Sequence, residues 1–261
     1  MVIFVFLLGL VVGSFLNAVI YRLEANDSVL RGRSYCPRCR HVLSWQDLVP
    51  VLSFVMLRGK CRYCKGRISP QYPLVEICTA LIFLAIFNFE FLIFNKFSNF
   101  LISETLYLFV IASLLIVLFV YDLKHYILPD KILFPAIGIV LGYRVFEIWG
   151  LGFAWDLSFV VSGFAAALFF FAIFALSKGR AMGFGDVKLA LFMGLFLGWP
   201  NILVALFVAF MLGGAVGGVL ILLRKKHMKS EIPFGPFLLA GTFAALFWGQ
   251  GVVNFYMNFI L

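Results

Sequence analysis

Charged side chains are scarce in this sequence, in which Asp, Glu, Lys and Arg together make up only 13% of the 261 residues. Soluble domains average about 25% charged residues, so this scarcity excludes an ordinary soluble enzyme. Hydrophobic residues make up 64% instead, which indicates a polytopic membrane protein. The N-terminus also lacks the basic region and the small-residue cleavage site of a signal peptide, so we expect the first apolar run to remain as a membrane span.

Long polar segments are almost absent as well. Only residues 21–73 separate two apolar runs by more than a short loop, which leaves no room for a soluble catalytic domain. The apolar runs predict an all-α polytopic membrane protein with about eight transmembrane helices, each near the roughly 20 residues that a span needs. The sixth run is short and is divided from the seventh by Pro200, so these two could form a tight re-entrant pair. The expected spans are 2–20, 74–94, 101–121, 132–149, 157–176, 187–199, 201–223 and 236–258.

Acidic residues are outnumbered by basic ones, 12 against 21. We thread the eight spans alternately, so that successive spans cross the membrane in opposite directions. This places 19 of the 21 Lys and Arg residues on the side of segment 21–73 and leaves Lys96 and Arg144 on the other side. Because basic loops stay in the cytoplasm, this predicts an N-terminus outside and segment 21–73 inside. The net charge of +9 then reflects topology and attraction to anionic lipid headgroups. Nucleic-acid binding is not expected, because the basic residues form no aromatic-interleaved stripe.

Cysteine is rare, but four of the five cysteines form two C-x-x-C pairs inside segment 21–73. Cys36 and Cys39 are followed, after 21 residues, by Cys61 and Cys64. Four thiolates arranged in this way can surround a structural Zn²⁺ ion as a closed tetrahedron, and the spacing is typical of a zinc ribbon. The alternative is a pair of disulfides, which a reducing cytoplasm disfavours. We therefore predict a small cytosolic zinc-ribbon-like insertion, and we expect the fifth cysteine, Cys78, to be a buried apolar filler.

One carboxylate lies between two apolar runs in the stretch Gly183-Phe184-Gly185-Asp186. An ionisable side chain at a membrane boundary costs roughly 2.5–3.5 kcal/mol on insertion scales, so it usually serves a function. The two glycines allow backbone angles that other residues avoid and a close approach to a substrate chain. This stretch is therefore a candidate catalytic site.

A second carboxylate, Asp122, ends another apolar run, and the predicted topology puts it on the same side as Asp186. Two carboxylates that converge on one water molecule can share a proton and divide the acid and base roles of peptide hydrolysis. Asp186 opens a helix and Asp122 closes one, so we hypothesise that Asp122 is the more readily protonated, although the pair would titrate together. The alternative is that both are interfacial carboxylates, paired with Lys124 and Lys188.

Several motifs resemble those of one known family, the type IV prepilin leader peptidases, which are membrane aspartic proteases with a G-x-G-D motif. The resemblance covers most of the chain, and the motifs occur in the family's order. They are Gly13-Ser14-Phe15-Leu16-Asn17 through Tyr21-Arg22, Ser34 to Cys39, Gly59 to Arg62, Ile68-Ser69 through Tyr72-Pro73 to Glu76, Asp122-Leu123 through Leu128-Pro129-Asp130, Gly183 to Asp186, and Pro233 to Pro236.

The resemblance implies that Asp122 and Asp186 are the catalytic pair, supported by Gly183 and Gly185. They would cut a short basic leader from prepilins or prepseudopilins at the cytoplasmic face of a bacterial inner membrane. Family members with the cysteine segment also methylate the new N-terminus with S-adenosyl-L-methionine, and Glu76 matches a glutamate linked to that step.

The implied domains are a first span (1–20), a zinc-binding segment with the four paired cysteines (21–73), a methyltransferase region (1–100) and a peptidase domain (101–261). We call residues 21–73 the four-cysteine segment. No G-x-G-x-x-G motif follows a strand, so the residues alone do not show the methyl-transfer activity. Two alternatives remain open: a peptidase that does not methylate, and a non-enzymatic assembly factor that binds partners through the zinc ribbon.

Overall fold

The computed structural model describes residues 1–25, 27–28, 32–94, 99–150, 157–180, 182–223 and 233–260. Within these residues the chain forms nine α-helices and only isolated β-bridges, so the predicted all-α fold is confirmed. The helices are α1 (Val2–Glu24), α2 (Leu52–Met56), α3 (Gln71–Phe94), α4 (Asn99–His125), α5 (Asp130–Gly150), α6 (Ser158–Ser177), α7 (Phe184–Leu197), α8 (Asn201–Leu222) and α9 (Gly235–Ile260).

Among the described residues, seven helices are long and apolar enough to cross a membrane, one fewer than the sequence predicted. The exception is α7, which covers the expected sixth span. It has 14 residues, and at 1.5 Å per residue it is about 21 Å long, whereas a bilayer's hydrocarbon core is about 30 Å thick. The helix ends early because Gly198, with a φ of 66°, and Pro200 follow it.

Helix α7 nevertheless extends along most of α6 in the opposite direction. At one end the rings of Phe174 and Phe184 lie 5.6 Å apart, and at the other a Cβ on Gly198 would lie 3.9 Å from the Cβ of Phe159. The expected tight pair of α7 and α8 is wrong, because α7 packs mainly against α6 and α8 packs mainly against α9. Because α7 runs antiparallel to α6 along most of its length, its N-terminus lies beside the C-terminus of α6.

The chain divides into an N-terminal unit (Met1–Val117) and a C-terminal unit (Leu118–Leu261). In the N-terminal unit, α1 packs against α3 through two glycines one turn apart. Cβ atoms on Gly9 and Gly13 would lie 2.5 Å and 2.6 Å from the Cα atoms of Ala80 and Glu76, so the two backbones are in direct contact. The side chain of Cys78, in α3, is exposed, so the expectation that it is a buried apolar filler was wrong.

In the C-terminal unit, α7 is the central helix and contacts α5, α6, α8 and α9. Most of its residues are buried, which explains why it has no lipid-facing stripe and why its sequence is apolar on all sides. A Cβ on Gly194 would lie 2.5 Å from the Cα of Gly163 in α6, so no larger residue fits at this crossing. The N-terminus of this buried helix carries Asp186.

Candidate active site and metal centre

The G-x-G-D stretch forms the first turn of α7. Gly183 is the N-cap residue, with extended backbone angles, and Asp186 is the third helical residue. The backbone N–H of Gly183 donates a hydrogen bond to the Asp186 carboxylate. This is the acidic half of a capping box, which requires the carboxylate three positions after the cap, as in this motif. The local sequence thus fixes the carboxylate at the positive end of the helix dipole.

Asp122 lies in the last turn of α4, which ends at His125. The helix closes with Tyr126 in the left-handed region, at a φ of 58°, and the Tyr126 N–H donates to the Asp122 carbonyl oxygen at 2.9 Å. The first residue of α9, Gly235, lies directly against the Asp122 carboxylate, so that a Cβ at this position would overlap Oδ2. Three helix ends therefore contribute to one site.

The structure brings Asp122 and Asp186 together. The side chain of Leu128 lies beside both groups. Cβ atoms on Gly185, which precedes Asp186, and on Gly235, which lies against Asp122, would be 3.4 Å and 3.5 Å from it. The negative charges of the two carboxylates repel each other. Asp122 is 4% exposed and Asp186 is 9% exposed, so both carboxylates are withdrawn from bulk solvent. Such a pair can hold one shared proton between two acidic groups.

Lys188, two residues after Asp186, belongs to a different pair. Its Nζ contacts both carboxylate oxygens of Asp130 at 2.7 Å and 2.8 Å. It also lies 5.3 Å from the ring centroids of Phe134 and Phe184, within cation–π distance. Within the described residues no ion pair neutralises Asp186, so the alternative that Lys188 does so is wrong. Lys188 instead ties the start of α5 to the start of α7.

Sequence reasoning missed Leu128, Asp130 and Gly235 as members of this site. All three lie inside motifs that carried the family resemblance, and Gly235 is the glycine of Pro233-Phe234-Gly235-Pro236. A glycine between two prolines at a helix start indicates a close backbone approach. What it approaches depends on tertiary packing, so the sequence did not identify Asp122 as its neighbour.

The four predicted zinc ligands converge in the N-terminal unit. The sulfur atoms of Cys36, Cys39, Cys61 and Cys64 all lie within 4.8 Å of one another, and the Cys36 and Cys64 sulfurs are 3.9 Å apart. A tetrahedron with Zn–S bonds of about 2.3 Å has sulfur–sulfur edges of about 3.8 Å. The described cysteines therefore have the donor set and the spacing that a structural Zn²⁺ ion requires.

The two cysteine pairs are built on the same backbone turn. The N–H of Cys36 donates to His41 O at 2.9 Å, and the N–H of Cys61 donates to Gly66 O at 2.8 Å. The residue four positions after the first cysteine of each pair has a positive φ, 56° at Arg40 and 57° at Lys65. Two matching turns of this kind hold their sulfurs toward a common centre.

Backbone groups prepare one of these thiols for ionisation. Burial opposes ionisation of Cys36, but hydrogen bonds from the N–H groups of Cys39 and Arg38 outweigh it and lower the pKa of Cys36 to about 7. An N–H of His41 favours the Cys39 thiolate, yet burial and the neighbouring sulfurs raise the pKa of Cys39 to about 11. Thiolates this close repel each other, so all four ionise together only around a cation.

Glu76 lies in the second turn of α3, also in the N-terminal unit, and is buried. Its carboxylate accepts hydrogen bonds from the backbone N–H of Val51, at 2.8 Å, and from the Ser14 side chain. Within the described residues no cation neutralises it. A buried carboxylate without a neutralising cation favours a positively charged ligand.

Two family profiles match separate parts of the chain. The family described as "Bacterial Peptidase A24 N-terminal domain" matches residues 7–89. The family described as "Type IV leader peptidase family" matches residues 109–218, which include both Asp122 and Asp186.

Similar proteins match over nearly the full length of the chain and carry the name "Prepilin leader peptidase/N-methyltransferase". The relative from Aeromonas hydrophila is 33% identical over 98% of this chain and 94% of its own length. The relative from Bacillus subtilis (strain 168) is 31% identical over 98% of both chains. The relative from Myxococcus xanthus (strain DK1622) is 39% identical over 85% of this chain and 63% of its own length. No solved structure matches.

Proposed function

The chain belongs to the type IV leader peptidase family, and from this membership we propose that it cleaves the leader peptide from type IV prepilins or prepseudopilins. We assign Asp122 and Asp186 as the catalytic pair, with Gly183 and Gly185 shaping the turn that carries Asp186. The observation that supports this assignment most is the meeting of two buried carboxylates, from α4 and α7, without a neutralising cation among the described residues.

The chemistry needs one proton shared by the two carboxylates. The ionised carboxylate accepts a proton from a water molecule, and the resulting hydroxide attacks the carbonyl carbon of the scissile amide. The protonated carboxyl group donates its hydrogen to the carbonyl oxygen and stabilises the charge that develops there. Collapse of the tetrahedral intermediate returns a proton to the leaving nitrogen and releases the mature N-terminus. Burial strengthens each of these interactions, because little water competes with them.

The active site faces the cytoplasm in this proposal, and the N-terminus lies outside a bacterial inner membrane. The distribution of basic residues supports this orientation, since alternate threading puts 19 of the 21 Lys and Arg residues on one side. Both aspartates fall on that side. A prepilin anchored by its own apolar helix would then present its basic leader at the same membrane surface.

The four-cysteine segment would hold a structural Zn²⁺ ion through Cys36, Cys39, Cys61 and Cys64. A closed four-sulfur site leaves no position for a substrate water, so the metal's role is to fold the segment. Among the described residues of the segment, few large apolar side chains are buried, so this part of the chain lacks a sufficient core of its own. The metal would replace that core.

We also propose that the chain methylates the N-terminus that cleavage exposes, as the names of its relatives indicate for them. S-adenosyl-L-methionine supplies the methyl group. The Glu76 carboxylate, without a cationic partner among the described residues, would bind the new terminal ammonium group and accept the proton that this group must lose before it can be methylated. The methyltransferase region would then be residues 1–100, and the peptidase domain 101–261.

One assay tests both activities. The purified chain is incubated in liposomes with a full-length prepilin and labelled S-adenosyl-L-methionine, and leader cleavage and methyl transfer are scored in the same samples. We expect the wild type to perform both reactions, Glu76→Gln to cleave without methylating, and Asp186→Asn to do neither on the uncleaved substrate. On a substrate that already lacks its leader, Asp186→Asn should still methylate. Normal cleavage by both Asp122→Asn and Asp186→Asn would refute the assignment of the two aspartates. A wild-type chain that neither cleaves nor methylates would instead support the non-enzymatic assembly factor.

A further inference from the structure

Four large apolar side chains between the two cysteine pairs of the N-terminal unit are each more than 60% exposed. We call them the apolar patch. Leu52, Val55 and Met56 lie at positions i, i+3 and i+4 of α2 and therefore share one face of that helix. Trp45 begins the short 3₁₀ turn that precedes α2 and contacts it. The exposed fractions are 76% for Trp45, 61% for Leu52, 64% for Val55 and 81% for Met56.

A hydrogen bond fixes the level of this patch relative to a membrane-spanning helix. The N–H of Val51, the residue before α2, donates to the Glu76 carboxylate of α3 at 2.8 Å. Val51 has a φ of 60°, in a tight turn closed by a hydrogen bond of 2.6 Å from the Leu52 N–H to Pro50 O. The patch begins one residue later, so it has little freedom to move away from Glu76.

The position of Glu76 gives the depth of the patch. Helix α3 begins at Gln71 and is apolar enough to span a membrane from that residue. Glu76 follows five residues later, about 7.5 Å along the helix axis at 1.5 Å per residue. Interfacial helices bury their apolar faces about 5–10 Å into the boundary between headgroups and acyl chains. With the lipid boundary placed at the start of α3, the first residue of the patch would lie at the depth where lipid, rather than water, covers it.

The charges around the patch fit an anionic lipid surface. The cysteine pairs and their flanks carry basic side chains at Arg38, Arg40, Arg58, Lys60, Arg62, Lys65 and Arg67. The carboxylate within this region, Asp47, is bound to Arg62 at 2.7 Å. Although burial opposes ionisation of Asp47, this pairing holds its pKa below the usual value. Basic residues beside an apolar helix face are the pattern of a membrane-surface helix.

We propose that Trp45, Leu52, Val55 and Met56 insert into the lipid leaflet beside the start of α3 and dock the four-cysteine segment on the membrane surface. The occupant of the apolar patch is the bilayer itself. Docking would hold the segment and the Val51–Glu76 contact at the level where a membrane-anchored substrate emerges from the lipid. The alternative occupant, the apolar helix of a prepilin, is an outcome of the test below.

Trp45 provides a spectroscopic probe of this contact. The full chain is made with Phe at Trp149, Trp155, Trp199 and Trp248, so that Trp45 alone fluoresces, and is reconstituted into phosphatidylcholine vesicles containing phosphatidylglycerol. We expect lipids brominated near the headgroup end of their acyl chains to quench Trp45 by about twofold or more, and lipids brominated near the chain ends to quench it less. A variant that retains only Trp149, which is 78% exposed on spanning helix α5, serves as the positive control for lipid contact.

A second measurement avoids replacing four tryptophans. The bromolipid quenching of the otherwise unchanged chain is compared with that of Trp45→Phe, and the difference gives the quenching of Trp45. Equal Trp45 emission in brominated and ordinary lipids would overturn the proposal. So would a Trp45 signal that is insensitive to bromolipid but shifts to shorter wavelength when a prepilin is added, since the patch would then belong to the substrate.

Discussion

Gly235 illustrates at the residue scale how the absence of a side chain can shape the proposed catalytic site. The Asp122 carboxylate occupies the space that a Cβ at this position would need. The backbone of Gly235, the first residue of α9, therefore limits where the Asp122 carboxylate can lie. A carboxylate that takes part in proton transfer has to be held in one geometry, because a displacement of about 1 Å can cost about 100-fold in rate.

We therefore expect Gly235→Ala to lower leader cleavage by about 10- to 100-fold, since the methyl group would displace the Asp122 carboxylate. Cleavage rates are measured on purified chain in liposomes, alongside membrane levels. Gly251→Ala is the matched control, because Gly251 lies in the same helix with open space around it. Equal cleavage by the Gly235→Ala and Gly251→Ala variants would show that Gly235 does not position Asp122.

Single residues also show what the sequence could and could not predict about the site. A carboxylate beside glycines at a membrane boundary stands out in the sequence, so Asp186 was found from local chemistry, and Asp122 from its position after an apolar run. The partner of Lys188 was not predictable, because Asp130 is 58 positions away and became its neighbour only through packing of α5 and α7. The cysteine pairs were predictable because metal binding requires a fixed short spacing.

Among the elements, α5 and α7 are joined near their N-terminal ends by the Lys188–Asp130 ion pair. The pair is partly exposed, with 23% of the Lys188 side chain and 53% of the Asp130 side chain accessible, so its contribution is modest. Lys188 lies two residues after Asp186 in the chain. Asp130 lies two residues after Leu128, whose side chain is next to Gly185 and Gly235. We interpret the ion pair as a positioning contact for the two loops that carry the site.

Lys188→Met and Asp130→Asn should each slow leader cleavage by about two- to fivefold, as expected for a partly exposed ion pair. Because both variants remove the same contact, the double variant should be no slower than either single variant. The relevant measurement is the cleavage rate of all four chains on one prepilin. If the two effects multiplied, the residues would act independently and the positioning role would be refuted.

The four-cysteine segment gives a second prediction about an element. Purified wild-type chain should contain about one zinc per chain, and Cys61→Ser should lose most of it, since three sulfurs make an incomplete tetrahedral site. Cys78→Ser is the matched control because Cys78 is exposed on α3, away from the cluster. Elemental analysis measures the metal. Wild-type chain without zinc, or full zinc content in Cys61→Ser, would contradict the assignment.

The elements were largely predictable because apolar runs of about 20 residues have few alternatives in a membrane. Seven expected spans appear among the described residues as long helices. The remaining expected span, the sixth in chain order, corresponds to α7. It was misjudged because an apolar sequence does not distinguish a lipid-facing helix from one surrounded by other helices. Gly163 and Gly194, which let α6 and α7 approach closely, gave no signal of their partners in the sequence.

For the whole molecule, the proposed orientation in the membrane rests on alternate threading of the spans and on the distribution of basic residues. A green fluorescent protein joined after Lys178 should fluoresce, because that position is predicted to be cytoplasmic. Alkaline phosphatase joined after Gly150 should be active, because that position is predicted to lie outside. As controls, alkaline phosphatase joined after Lys178 should be inactive, and green fluorescent protein joined after Gly150 should not fluoresce. Active phosphatase after Lys178 would place the aspartates on the wrong side for the proposed cleavage.

The central claim for the whole molecule is that two carboxylates from α4 and α7 act as one catalytic unit. The most direct test is the prepilin cleavage rate of the purified chain in liposomes for the wild type, Asp122→Asn, Asp186→Asn and the double variant. We predict that each single variant loses activity by about 10²- to 10⁴-fold and that the double variant is no slower, because either loss removes the shared function. Near-normal cleavage by either single variant, or a further multiplicative loss in the double variant, would contradict the claim.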